Sequence, residues 1–337
     1  YLTGVVDVDS LTARELNVAR MPAFNVVPDR GDPLLPDLDI QIDRLKVDRI
    51  VFAKAITGEE QVASFDGKAR IANRRAVVTA NAGSAQGDRL TLKLDAVPDD
   101  NRFDVDLKID APAKGLVAGL LGRDAPMQAA LTGQGSWQKW DGRLIASMGE
   151  QSVADVALTA RDGTFTAKGE TAPAKVMADS LIVRGLSPVA LVDLSATFAN
   201  RVAAIKGSVR SAAAVLGASG QIDMGQGQFD DLAVDLQLLR PGIIGSNVTG
   251  TNVRGKALLN GAFAEPTVAY SATATRLAFD RTTFEDVRVT GEAQGQPDRF
   301  IIPVNAVARR VTGINQIVGG LLTNVKMNGD IAIANGR

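Results

Sequence analysis

The strongest constraint on the fold is an alternation of apolar and polar residues with a period of two. From Arg102 to Asp110 the chain reads RFDVDLKID, so Phe103, Val105, Leu107 and Ile109 fall on one side and Arg102, Asp104, Asp106, Lys108 and Asp110 on the other. Successive side chains of a strand face opposite sides of its sheet, whereas a helix would spread these two classes around its axis. The same pattern recurs in Leu38–Asp43 (LDIQID), Arg89–Ala96 (RLTLKLDA) and Leu232–Leu238 (LAVDLQL). Looser copies run through Ser64–Ile71, Ser152–Thr159, Thr164–Gly169, Val202–Val209, Ala269–Phe279 and Phe284–Gly291. Gly, Asn and Asp doublets separate these runs at intervals of roughly ten residues, as the turns of a meander would.

A buried parallel sheet would instead show continuous apolar runs joined by long helical crossovers, and neither occurs here. The expected fold class is all-β: roughly twenty short strands in one or two long, curled antiparallel sheets, one face in water, with a few short helices. The best helical segment is Pro112–Gly122 (PAKGLVAGLLG), with Leu116, Leu120 and Leu121 on one side. A second, Val311–Leu322 (VTGINQIVGGLL), places Ile314, Ile317, Val318 and Leu321 at helical spacing. Shorter helical turns are expected in Pro173–Ile182 and Ser211–Leu216. Such segments are candidates to gate or cap the end of a sheet. No fixed-consensus period marks a propeller, a leucine-rich array or a Ca²⁺-binding nonapeptide repeat. Residues 1–337 read as one elongated β domain, with soft subdivisions 1–110, 111–240 and 241–337 near the Pro112 helix and Pro241-Gly242.

Composition narrows the chemistry. There is no His and no Cys, which excludes His- or Cys-based zinc sites, thiolate nucleophiles, Ser-His-Asp triads, iron–sulfur ligation and disulfides. Lys and Arg number 37 against 38 Asp and Glu, a net charge of -1, which argues against a surface built for nucleic-acid backbones. The segment GQGSWQKWDG (Gly133–Gly142) holds both tryptophans, but it lacks the third glycine and the strand–helix context of a nucleotide loop. It reads as a turn between strands, its Trp rings covering a sheet edge or end. Paired carboxylates (Glu59-Glu60, Asp99-Asp100, Asp230-Asp231, and Asp104, Asp106 and Asp110) occupy wet strand positions or turns and miss EF-hand spacing. Lys54 and Lys68 read as surface lysines. No catalytic residue, cofactor or metal is expected, and the chain does not read as an enzyme. No apolar run is long enough for a helix to cross a membrane. The start, YLTGVVD, reads as a piece cut from a longer protein.

What remains is the apolar face. Aromatic residues are only 4% of the chain, and no second class of element is present to cover an extended sheet. Either the sheet closes on itself as a sandwich or β-helix, or it stays curled around an apolar trough. In the trough alternative the lining residues are Leu38, Ile40, Ile42, Leu90, Leu92, Leu94, Phe103, Val105, Leu107, Ile109, Leu232, Val234 and Leu236; in the other they form a dry core. At about 4.8 Å per strand, twenty strands in a continuous sheet would extend on the order of 90 Å.

The run from Leu38 to Arg143 resembles the TamB family, the translocation and assembly module subunit of Gram-negative envelopes, which is related to AsmA-like and repeating β-groove lipid transfer proteins. The resemblance rests on the order PDLDIQIDRLKVDRI (Pro36–Ile50), FDGKARI (Phe65–Ile71), GDRLTLKLDA (Gly87–Ala96), FDVDLKIDAPAKGLVAGLLG (Phe103–Gly122) and LTGQGSWQKWDGRL (Leu131–Leu144). Beyond about Asn200 it is carried by strand style rather than motif. It implies a curled "taco" sheet with an apolar lumen that conducts glycerophospholipids across the periplasm from the inner to the outer membrane. A second implied activity is that of a scaffold or chaperone assisting outer-membrane β-barrel and autotransporter assembly. The family's inner-membrane anchor and the region that engages its outer-membrane barrel partner TamA are not in this chain, which the resemblance makes an interior piece. Without the resemblance, the same pattern also suits an elongated β-helical adhesin or envelope module.

Overall fold

The structure, a computed structural model, describes residues 5–19, 39–72, 75–97, 102–136, 138–177, 179–199, 202–295, 299–314 and 320–334. The chain is nearly all β, with 73% of residues in strands and 7% in helices, in an unclosed, curled antiparallel sheet. It divides into two compact units, residues 1–25 with 31–178 and residues 26–30 with 179–337.

In unit 1 an antiparallel meander runs through β3 (Asp39–Phe52), β4 (Gln61–Ala72), β5 (Arg75–Ser84), β6 (Arg89–Val97), β7 (Arg102–Ala111), β8 (Met127–Gly135), β9 (Lys139–Met148), β10 (Gln151–Arg161) and β11 (Thr164–Thr171), each strand paired with the next. One departure from the antiparallel expectation stands at its edge. Strands β1 (Val5–Val8) and β2 (Leu11–Val18) lie end to end alongside β3 and parallel to it. A parallel neighbour needs a long return connection, and residues 19–38 supply it.

In unit 2, β12 (Ala190–Ala199), β13 (Val202–Ser211), β14 (Ala214–Asp223), β15 (Gln228–Leu238), β17 (Val253–Ala262), β18 (Thr267–Phe279), β19 (Thr282–Gly295), β20 (Arg299–Thr312) and β21 (Leu321–Ala334) pair in the same serial fashion. The short β16 (Val248–Thr251) joins the end of β18.

Connections in a meander emerge alternately at its two rims. In unit 1 the helices α1 (Lys54–Thr57) and α2 (Leu116–Leu121) and a 3₁₀ turn at Pro173–Lys175 all follow odd-numbered strands, so they share one rim. In unit 2, α3 (Leu181–Gly185) precedes β12 and a 3₁₀ turn at Pro241–Ile243 follows β15, again on one rim. Helix α2 falls inside the predicted Pro112–Gly122 and has no side-chain cap of its own. The buried Asp88, from the β5–β6 turn, supplies one: Oδ2 accepts the Leu116 N–H (2.8 Å) and Oδ1 the Val117 N–H (3.0 Å), while Ser84 Oγ donates to the same carboxylate. Any side chain at Gly115 would collide with that carboxylate.

Two segments expected to be helical differ in their described residues. In Val311–Leu322, Val311 and Thr312 end β20 while Leu321 and Leu322 open β21, and they pair across a hairpin, Val311 with Leu322 and Thr312 with Leu321. Ile314 sits in the connection; Ile317 and Val318 lie outside the described residues. Gly313 and Gly320, at φ 82° and 69°, turn the chain where a helix would need negative φ. Ser211–Leu216 is likewise a β13–β14 turn, held by Ser211 Oγ accepting the N–H groups of Ala213 (2.9 Å) and Ala214 (3.0 Å).

Unit 2 carries a crease. Leu277, Phe284, Val311 and Leu322 are cross-strand partners, and so are Ala274, Val287, Ala308 and Val325, yet the two rows are three residues apart on every strand. The alternation therefore inverts along one line, where Asp286 and Asn324 take left-handed φ of 49° and 51°. Such a row of bulge-like residues bends a sheet.

Packing is local. Each strand rests on its hydrogen-bonded neighbours, and no second sheet covers the described strands. The buried apolar residues are mostly alanines, and Val311 is the largest side chain under 2% exposed among the described residues.

Candidate functional site

The apolar positions assemble into continuous cross-strand rows. In unit 1 one row reads Ala69, Val78, Leu94, Val105, Gly133, Gly142 and Leu158, and its neighbour Ala80, Leu92, Leu107, Leu131, Leu144 and Val156. Leu90 and Ile109 pair in the next row, and Phe103 pairs with Ala96 on the other flank. Ile42 joins the first row opposite Ala69, and Ile40 pairs with Ile71. In unit 2, Leu232 pairs with Leu259, Val234 lies between Ala218 and Ala257, and Leu236 between Leu216 and Gly255. All the predicted lining residues that are described thus share an apolar face within their unit; Leu38 lies outside the described residues. Each of them is half-buried, shielded by its row neighbours and not by another layer.

The floor of this face contains glycines, and aromatic rings lie over them. Trp140, 7% exposed, covers the paired Gly133 and Gly142 and meets the Phe103 ring at 5.6 Å between centroids. A Cβ at Gly133 would sit 2.6 Å from Trp140 Cη2 and closer still to Cζ2. The same device recurs with Phe65 over Gly67 and Tyr270 over Gly291. Tyr270 Oη donates to the Pro303 carbonyl at 2.6 Å, and burial pushes its pKa up. Of the two places expected for the Trp140 ring, an edge or an end of the sheet, it is at the end: Trp140 is the second residue of β9, and its ring lies on the apolar face there. Trp137 is outside the described residues. Ring-over-glycine pairs escape a period-two scan because the glycine breaks the apolar row that the neighbouring ring completes.

Of the predicted capping residues, Leu121 packs on the buried cluster of Ala146, Met148 and Val153, joined by Val176. Through Leu121, helix α2 packs on the rim ends of β9 and β10, and it also meets α1, β4 and β7. Leu116 is half-buried, and Leu120 faces water at 41% exposure.

The opposite face is charged and internally paired. Asp95 receives Arg75 at 2.8 Å and Arg102 at 3.0 Å, Arg102 also binds Asp104 at 2.9 Å, and Arg143 binds Asp155 at 2.7 Å. A hollow of about 790 Å³ lies on this face among Lys93, Asp104, Asp106, Gln134, Asp141 and Arg143. The carboxyls with displaced pKa values, Asp48, Asp104 and Asp155, are all lowered, each first by a hydrogen bond from a neighbouring Lys or Arg. General acid catalysis needs the opposite shift. Asp7, Asp9 and Asp43 bring carboxylate oxygens within 4.8 Å of one another at an exposed place, an arrangement common without any ion.

Chemically, the apolar face offers side chains that suit hydrocarbon, and the charged face offers paired ions that suit water. Comparison with family models, curated proteins and solved structures returns no match.

Proposed function

We propose that this chain is a segment of a conduit for glycerophospholipid, whose acyl chains lie along the apolar rows while the head groups stay in water. The observation that carries the reading is the apolar face itself: leucines, isoleucines and valines half-buried in cross-strand rows, with no second layer over them among the described residues. Exposing an acyl pair of about 30 methylenes to water costs on the order of 25 kcal/mol at about 0.8 kcal/mol per group. A continuous apolar row removes most of that cost at every position without tight binding at any, so the task requires neither a catalytic group nor a cofactor. With the TamB-like order of segments, this reading places the chain in the periplasm, in a protein held at the inner membrane. A TamA-like barrel would be its outer-membrane partner, engaged through a region outside this chain.

The test is native mass spectrometry of the gently purified chain, with extraction and identification of bound lipid. Leu92 and Leu107 are direct cross-strand partners, so Leu92→Asp with Leu107→Asp places two charges side by side on the face. The pair is expected to abolish bound glycerophospholipid while leaving the β circular dichroism intact. Lipid retained at the wild-type level by that folded variant would refute the conduit.

A further inference from the structure

Unit 2 places its exposed large apolar side chains unevenly. On the helix-bearing rim, Leu181 is 51% exposed, Ile182 71%, Val189 40%, Leu191 50%, Leu239 46% and Ile244 45%. The other rim offers Phe198 and Met224 among the described residues. The rim residues sit on a built surface. Helix α3 turns Val183 inward at 3% exposure while holding Leu181 and Ile182 outward. Ser180 caps it by accepting the Val183 N–H at 3.2 Å, and Ser211 Oγ donates to the Gly185 carbonyl at 2.6 Å. The 3₁₀ turn at Pro241–Ile243 abuts α3, because a Cβ at Gly185 would touch Ile243 Cδ1 at 3.5 Å. Leu239 and Arg240 donate their N–H groups to the Ala213 carbonyl at 2.8 and 3.0 Å, which ties that turn to the β13–β14 connection.

The charges along the same rim are biased. Arg184, Arg240 and Arg281 on the connections and Arg210 at the end of β13 stand against Asp179 and Asp280. Asp179 is taken up by Arg184 at 3.4 Å, and Asp280 accepts from Asn247 Nδ2 at 3.0 Å. Arg210 and Arg240 are exposed, and neither has an ion-pair partner among the described residues. Exposed aliphatic side chains flanked by unneutralised arginines match the chemistry of an anionic bilayer surface, where apolar groups enter the acyl boundary and cations meet lipid phosphates. A protein partner for a rim of this kind would have to supply both acids and an apolar complement; a bilayer supplies both everywhere.

We propose that the α3 rim of unit 2 docks on the surface of an anionic membrane. The proposal is independent of what the apolar face carries, since the rim residues lie on connections or at strand ends, off the apolar rows.

The test is flotation of the full chain with vesicles of phosphatidylcholine alone or with added phosphatidylglycerol. The wild type is expected to float with the anionic vesicles and to be released by high salt. Ile182→Asp is expected to lower the partition coefficient by about tenfold or more, since it both removes an inserted side chain and adds a like charge to the lipid's. Arg210→Glu with Arg240→Glu is expected to lower it comparably. Ile182 is mostly in water, so its replacement spares the fold, which circular dichroism checks. The Leu92→Asp, Leu107→Asp variant should float like wild type even where it has lost bound lipid, which separates rim docking from the conduit. Failure of the wild type to float with anionic vesicles, or flotation of Ile182→Asp at the wild-type level, overturns the proposal. A wild-type dimer that Ile182→Asp turns into a monomer overturns it in favour of a second copy on the rim.

Discussion

Replacing Gly133 by valine tests whether the Trp140 ring closes the apolar floor. Trp140 is 7% exposed, and a tryptophan of that burial removes about 200 Å² from water, so expelling the ring costs up to about 5 kcal/mol at about 25 cal/mol per Å². The ring can slide rather than leave entirely, which brings the expected cost of Gly133→Val to about 2–4 kcal/mol. The decisive measurement is a double-mutant cycle with Trp140→Ala, read by urea denaturation followed by circular dichroism. In the Trp140→Ala background the space above Gly133 is open, and valine's strand preference should make Gly133→Val neutral or stabilising by about 0.5–1 kcal/mol. The coupling energy is then about 2–5 kcal/mol. An equal cost of Gly133→Val in both backgrounds would refute the argument, because the penalty would then lie in the backbone at Gly133 and not in the ring.

Two further outcomes follow from the polar contacts. Asp88→Ala strips the cap from α2, at a cost of about 2 kcal/mol; the Leu116 and Val117 amides should lose protection from hydrogen exchange by about 30-fold, and unchanged protection would count against the cap. Asp104 is held below its ordinary value of 3.8 first by its hydrogen bond from Arg102 and then by the Gly135 N–H, against an opposing effect of burial. Its contribution to stability is therefore complete above pH 3.8 and is lost as the pH falls from there through the lower folded-state value. The acid limb of the wild-type denaturation midpoint should be steeper than that of Asp104→Asn, and superimposable limbs would contradict the assignment.

The strands were legible because their signal is local. Phe103 to Ile109 alternates without error, and a one-residue slip of register would turn the whole row to water. The period-two reading found the strands β18 and β19 but not the line along which their phase inverts. At the unit 2 crease, Phe284 and Val287 lie in parallel rows three residues apart, a spacing that mimics one turn of helix. In Val311–Leu322 the apolar spacing suits a helix, yet the described ends of the segment are paired strand residues beside Gly313 and Gly320. The parallel pairing of β2 with β3 was hidden because Leu11–Val18 looks the same whichever way its neighbour runs. Asp88 gave no signal as a cap, since it lies 28 residues from Leu116. Period alone put Ile40, Leu92 and Val234 on the apolar face of their strands. What periodicity does not report is whether anything lies on top of such residues.

Because every strand leans only on the strands beside it, length is a free variable in this architecture. Excising one complete hairpin keeps the up-and-down order of the remaining strands, so the breach can close with like pairing like. Ancestral duplication or loss of such pairs would stretch or shorten the molecule without redesigning its middle.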